Sequence, residues 1–134
     1  MNELKDKTGL ILIDKNDNIV LQLRDNNLKI KYPNCVGTFG GAIEQGESPE
    51  QAIIREIKEE LDYNLKNFEF IGNFPFEGYN IFMFLKRDSN LESSKLKINE
   101  GQRVVLINLN NPQLKNYTFA FNTKKIVEHY LSNI

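Results

Sequence analysis

Glu56, Glu59 and Glu60 stand at i, i+3 and i+4 in the run Arg55-Glu56-Ile57-Lys58-Glu59-Glu60. On a helix this spacing puts three carboxylates on one face. Like charges at that spacing repel, at a cost of about a few tenths of a kcal/mol per pair. A divalent cation would turn the repulsion into coordination, because hard cations such as Mg2+ take oxygen ligands. A solvated acidic face is the alternative for such a triplet by itself. Two upstream features weigh against it: the glycine pair Gly40-Gly41 and a further acid, Glu47. Glycines let a backbone approach a ligand closely and leave carbonyl oxygens open to a metal. Arg55 is spaced to meet Glu59 along the helix and Glu47 across the loop, which would hold the acids in shape.

A helix has to present these acids. Ser48 is a suitable N-cap, Pro49 fits the first helical position, and Gln51 completes an S-x-x-Q capping box. Ala52, Ile53, Ile57 and Leu61 form an apolar stripe at helical spacing, and Asp62-Tyr63-Asn64 ends it. Before it, residues 8–14 and 19–24 predict a strand pair joined by a turn at Asn16-Asp17-Asn18. A polar loop follows, then a short apolar stretch from Cys35 to Phe39 that runs into the glycine pair. After the helix, residues 68–74, 79–85 and 103–109 predict three strands, and residues 121–131 a second helix. The order β-β-β-α-β-β-β-α implies an α/β domain with helices packed on a mixed sheet.

At 134 residues the chain predicts one domain, 1–134, long enough to bury a core without disulfides. Its 17 basic and 18 acidic residues give a net charge of −1. No apolar run approaches the roughly 18–20 residues that cross a bilayer. The stretch from Met1 to Lys7 mixes charges and lacks an apolar core, so no signal peptide is expected. The single Cys35 has no internal disulfide partner, which favours a reducing cytoplasm. A pI near 5.9 without a dense basic cluster argues against a dedicated nucleic-acid surface but leaves small anionic ligands open. A homodimer also stays open.

The stretch from Gly41 to Tyr63 resembles the Nudix box, Gly-x5-Glu-x7-Arg-Glu-U-x-Glu-Glu-x-Gly-U with U apolar. Gly41, Glu47, Arg55, Glu56, Ile57, Glu59 and Glu60 fall in register. The resemblance implies the family's α/β/α sandwich and metal-dependent, MutT-like hydrolysis of a nucleoside diphosphate linked to another group, X. Water attacks phosphorus in that reaction. The implied metal ligands for Mg2+, with Mn2+ as an alternative, are Glu56, Glu59, Glu60 and the Gly41 carbonyl. Glu56 is also a candidate general base, and Glu47 the ion-pair partner of Arg55. Glu100 takes the place of a further acid near the metals, with a solvated loop residue as the alternative.

By the same resemblance Gly40, Gly41, Arg24 and Asn122 contact substrate. Arg24 would touch a phosphate, against a surface ion pair; Asn122 would read a base edge, against helix capping. Phe74, Phe76 and Tyr79 are candidates for stacking on a base, or else core. His129 is read as a surface or packing residue. ADP-ribose or nucleotide-sugar hydrolysis, and a silent nucleotide-binding module, remain rival readings. Asp62 stands where the box has glycine and Tyr63 where it has an aliphatic residue, which predicts an altered helix cap. Phe39 stands where the family often has proline, which bears on pocket shape.

Overall fold

In the computed structural model, which describes residues 5–134, strand β1 (Lys7–Ile13) is buried on both faces. Its side chains alternate with the period of two that a strand imposes. Leu10 and Leu12 pack with Ile53, Ile57 and Leu61 of helix α1 (Pro49–Leu61). Ile11 and Ile13 pack with Ile126, Val127 and Tyr130 of helix α2 (Thr123–Ser132) on the opposite face. One strand thus joins two separate cores, and the expected α/β/α sandwich follows.

The sheet is mixed. Strand β5 (Ile81–Arg87) runs parallel to β1 over its whole length, from Lys7 opposite Ile81 to Ile13 opposite Arg87. Strand β4 (Glu69–Asn73) lies antiparallel outside β5. Strand β2 (Asn18–Leu23) pairs antiparallel with β6 (Arg103–Asn108) throughout. It meets β1 only next to their turn, at Leu12–Val20 and Ile13–Ile19. The buried Asp14 carboxylate fixes that turn by accepting the Asn16 and Asn18 N–H groups, each at 2.9 Å.

Beyond the turn β1 and β2 diverge, and residues 36–42 fill the wedge between them. Strand β3 (Val36–Gly37) pairs with the end of β2. Phe39 then crosses to face Leu10, and Ala42 faces Lys7. The Phe39 side chain is buried in the wedge. The glycine pair therefore sits where the sheet splits, with α1 behind it. Residues 1–4, part of the segment read as lacking a signal peptide, lie outside the described residues. Among the described residues no helix is long and apolar enough to cross a membrane.

Helix α1 has the expected capping box. Ser48 Oγ accepts the Gln51 N–H at 3.1 Å, and Gln51 Oε1 accepts the Ser48 N–H at 2.9 Å. At the other end Asp62 is left-handed, with φ 52° and ψ 36°, and its N–H donates to the Lys58 carbonyl. Its side chain adds an exposed ion pair with Lys58 Nζ at 2.6 Å, which the sequence reading had not included. Glycine at this position would relieve about 1 kcal/mol of left-handed strain. The lost exposed pair offsets part of that. Asp62→Gly is accordingly expected to gain less than the full relief of about 1 kcal/mol, measured by urea unfolding. A gain of the full amount would mean the Lys58 pair contributes nothing.

Candidate active site

Arg55 organises the box. Its Nε donates to Glu47 Oε2 at 2.7 Å and its Nη2 to Glu47 Oε1 at 2.9 Å, a two-pronged pair that fixes both side chains. Nη2 also donates to the Ala42 carbonyl at 3.1 Å, tying the helix to the glycine loop. Nη1 donates to Glu56 at 3.0 Å and, more weakly, to Glu59 at 3.4 Å. The Arg55 hydrogen bond holds the Glu47 carboxyl down at about 2.

The three helix acids share a face but not an environment. Glu59 is exposed on the rim, Glu56 is partly covered, and Glu60 is buried at 3% exposure. Glu60 Oε1 accepts the Gly40 N–H at 2.8 Å. Burial first, then the charges of Glu100 and Glu56, push the Glu60 carboxyl up to about 9; no cation is among the groups acting on it. Glu56 is raised as well, chiefly by burial, with Glu59 and Glu100 adding to the effect against the pull of Arg55.

Glu100 is exposed, yet it is near enough to raise the Glu60 carboxyl. Two side chains that the sequence reading missed put it there. Asn99 caps the open end of α1, its backbone N–H donating to the Glu60 carbonyl at 2.8 Å and its Nδ2 to the Glu59 carbonyl at 3.1 Å. Buried Gln22 donates from Nε2 to the Glu100 carbonyl at 3.0 Å.

Both glycines are sterically required. A Cβ on Gly41 would sit 2.7 Å from the Glu56 carboxyl carbon. Gly40, at φ +144°, would place one 2.2 Å from the Thr8 carbonyl oxygen. The Gly41 carbonyl, expected as a metal ligand, is engaged by Thr8 in the metal-free fold. It already accepts the Thr8 N–H at 2.8 Å and the Thr8 hydroxyl at 3.3 Å, which uses both lone pairs. The neighbouring Gly40 carbonyl accepts no backbone bond among the described residues.

As a donor set the acids suit a hard divalent ion: all are oxygen ligands, and their mutual repulsion is relieved only by protons or a cation. Among the described residues no three His, Cys, Asp or Glu side chains converge closely enough to enclose one. Arg55 lies between Glu56 and Glu59 instead.

Beside the glycines opens a cavity of about 120 Å3, lined by Lys7, Arg24, Gly40, Gly41, Phe121 and Asn122 among others. Among the described residues Arg24 makes no surface ion pair. Its Nε and Nη2 donate to the Lys31 carbonyl at 3.1 and 2.8 Å. It also borders a small pocket with Glu100, so it stands between the acids and the cavity. Asn122 occupies the N-cap position of α2 but makes no side-chain capping bond, and its Oδ1 is buried without a partner. Tyr79 is core, and Phe76 packs edge-on against both Tyr79 and Phe121. His129 is exposed and meets the Phe74 ring edge-on at 5.3 Å.

The NUDIX domain family model matches residues 4–124. The NAD-capped RNA hydrolase NudC of Pseudomonas aeruginosa is 33% identical over 69 residues, half of this chain and 23% of that protein. The 8-oxo-dGTP diphosphatase of Escherichia coli is 30% identical over 80 residues, 58% of this chain and 57% of that protein. The match thus spans less than two thirds of either relative's length. A MutT structure, from work on the Aliivibrio salmonicida and Vibrio cholerae proteins, superposes with TM-score 0.77 at 21% identity, covering 97% of this chain and 98% of that one. With its box in register, its sandwich fold and a family match across nearly all of its length, the chain belongs to the Nudix family.

Proposed function

We propose that the chain hydrolyses the pyrophosphate of a nucleoside triphosphate or similarly compact nucleotide. One observation carries this reading: two opposed surfaces meet at Gly40-Gly41. On one side lie the carboxylates of Glu56, Glu60 and Glu100, and on the other a cavity with Arg24 and the unpartnered Asn122 amide. A silent binding module has no use for a carboxylate buried among like charges.

In this reading Arg24 holds a phosphate oxygen and Asn122 faces the base edge. Glu56 accepts a proton from the attacking water. The water oxygen bonds to phosphorus, the bridging P–O bond breaks, and the leaving phosphate keeps the electron pair. Arg55 and Glu47 hold Glu56 in orientation for that transfer. Glu56, Glu59 and Glu60, with Glu100 and the Gly40 carbonyl, would hold Mg2+ or Mn2+, which neutralises charge on the phosphate oxygens. The lone Cys35 is a free thiol, in keeping with a reducing compartment.

Phosphate release from ATP, GTP, CTP, an oxidised guanine nucleotide and ADP-ribose, with Mg2+, tests the reading. Excess EDTA is expected to abolish turnover. Glu56→Gln should lower it by about 10²-fold or more, as for loss of a group acting in the transition state. Glu50→Gln, on the exposed part of the same helix, should leave it unchanged. Full turnover in EDTA would overturn the metal assignment.

Asn122→Ala separates base reading from capping. Deleting a buried, unsatisfied acceptor removes a desolvation cost of about 1–3 kcal/mol, so the melting temperature should hold or rise. The order of preference among the bases should change. A uniform loss across all substrates would assign Asn122 a structural role.

The pH dependence of stability follows from Glu60. Its carboxyl ionises at about 9 in the metal-free fold, against 4.5 ordinarily. The folded state therefore binds the extra proton within that window, and this contribution to stability is lost as pH rises from 4.5 toward 9. Melting temperatures of the metal-free protein should fall more steeply over this range than those of Glu60→Gln. Parallel curves would show that Glu60 titrates normally.

A further inference from the structure

The far corner of the cavity holds charge that the proposed reaction leaves unused. Lys7 is half-buried, its Nζ 4.6 Å from the Phe121 ring centroid and 5.1 Å from that of Tyr79. The Arg24 guanidinium lies 5.1 Å from the same Phe121 ring. Neither cation has an ion-pair partner among the described residues. Burial, then the charges of Lys31 and Arg24, pull the Lys7 ammonium below its usual range; no carboxylate is among the groups acting on it. Lys7 lines the cavity, whereas Arg24 lines it and also borders the pocket beside Glu100.

Two cations crowded against one ring, partly desolvated and without a counter-charge, form a wall that an anion would relieve. The ring gives some compensation through its π face, but it cannot neutralise either charge. The pyrophosphate, in the reading above, lies at the acid end next to the glycines. It accounts for Arg24 and leaves Lys7 over. A neutral sugar hydroxyl would gain little from an ammonium in that place. A phosphomonoester would gain a charge-assisted hydrogen bond from each cation.

Resting on the nucleotide-hydrolase reading, we propose that Lys7 and Arg24 flank a second anion subsite over Phe121, which takes a phosphomonoester on the ribose of the substrate. The preferred substrates are then nucleotides that bear a further phosphate away from the scissile pyrophosphate. Lys7 is the specificity-determining residue, since Arg24 serves both ends.

Titration calorimetry on the metal-free full chain tests this, with the 5′-monophosphates of adenosine and guanosine against their 3′,5′- and 2′,5′-bisphosphates. At least one bisphosphate should bind about tenfold more tightly than its monophosphate, the value of one added charge-assisted hydrogen bond. Lys7→Met, which keeps the aliphatic stem over Phe121, should erase that difference, and Lys7→Arg should retain it. Equal affinities in the wild type, a preference that survives Lys7→Met, or no binding of any probe would each overturn the subsite. Turnover on the substrate panel without bisphosphate preference defeats the subsite and leaves the hydrolase reading standing. Preference without turnover does the reverse.

Discussion

A single buried carboxylate sets the terms for the rest of the site. Moving an ionised carboxylate out of water costs several kcal/mol even after the protein relaxes around it. Glu60 avoids that cost in the metal-free fold by keeping its proton up to about 9, at the seam between α1 and the split in the sheet, where it accepts the Gly40 N–H. The backbone can come that close only because position 40 lacks a side chain, and Glu56 can lie against position 41 only for the same reason. The end of α1 then recruits Asn99, which brings Glu100 back toward Glu60 and adds like charge where burial already opposes it. No such arrangement is favourable for folding alone. It is the kind of local conflict that folded chains keep where a ligand resolves it.

The charges are also segregated. The net charge of −1 hides an acidic face on one side of the glycine pair and, on the other, a basic wall without an ion-pair partner among the described residues. Without a cation, a polyanionic ligand is repelled by the first and attracted by the second. Arg24 stands at the boundary, lining both the cavity and the pocket beside Glu100. The Arg55–Glu47 pair keeps the Arg55 guanidinium engaged within the acid face, which sharpens the division.

What the sequence made legible was local. The capping box, the apolar stripe of α1 and the Arg55 contacts with Glu47 and Glu59 all lie within one helix and the loop before it, where spacing determines contact. The six strands and their order were legible because short runs of apolar or alternating residues stand between turn signals. The contacts made across the sheet were not. Whether the Gly40 or the Gly41 carbonyl is free depends on which of them pairs with Thr8, and that follows from the divergence of β1 from β2. Gln22 and Asn99 gave no signal, because their partners lie 78 and about 40 residues away in sequence. Lys7 read as one of the mixed charges that precede the first strand. The capping reading of Asn122 failed on backbone geometry: at φ −104° and ψ 25° it lacks the extended conformation from which an N-cap side chain reaches back to the helix.

The wall of the cavity is built before any ligand arrives. Tyr32 and Phe121 both adopt left-handed backbone conformations at φ 52°, a state that costs a non-glycine residue roughly 1–2 kcal/mol. Their rings meet at 4.7 Å, and Phe76 closes on Phe121 from another side. Arg24 holds the Tyr32 loop through the Lys31 and Tyr32 carbonyls, while Gln102 bonds both the Arg24 carbonyl and the Asn34 side chain. Strain at two backbone positions is thus offset by packing and hydrogen bonds that order the loop in the free protein. An aromatic platform fixed in this way requires no further ordering on binding, so the free energy of contact goes into discrimination between ligands rather than into folding a loop around them.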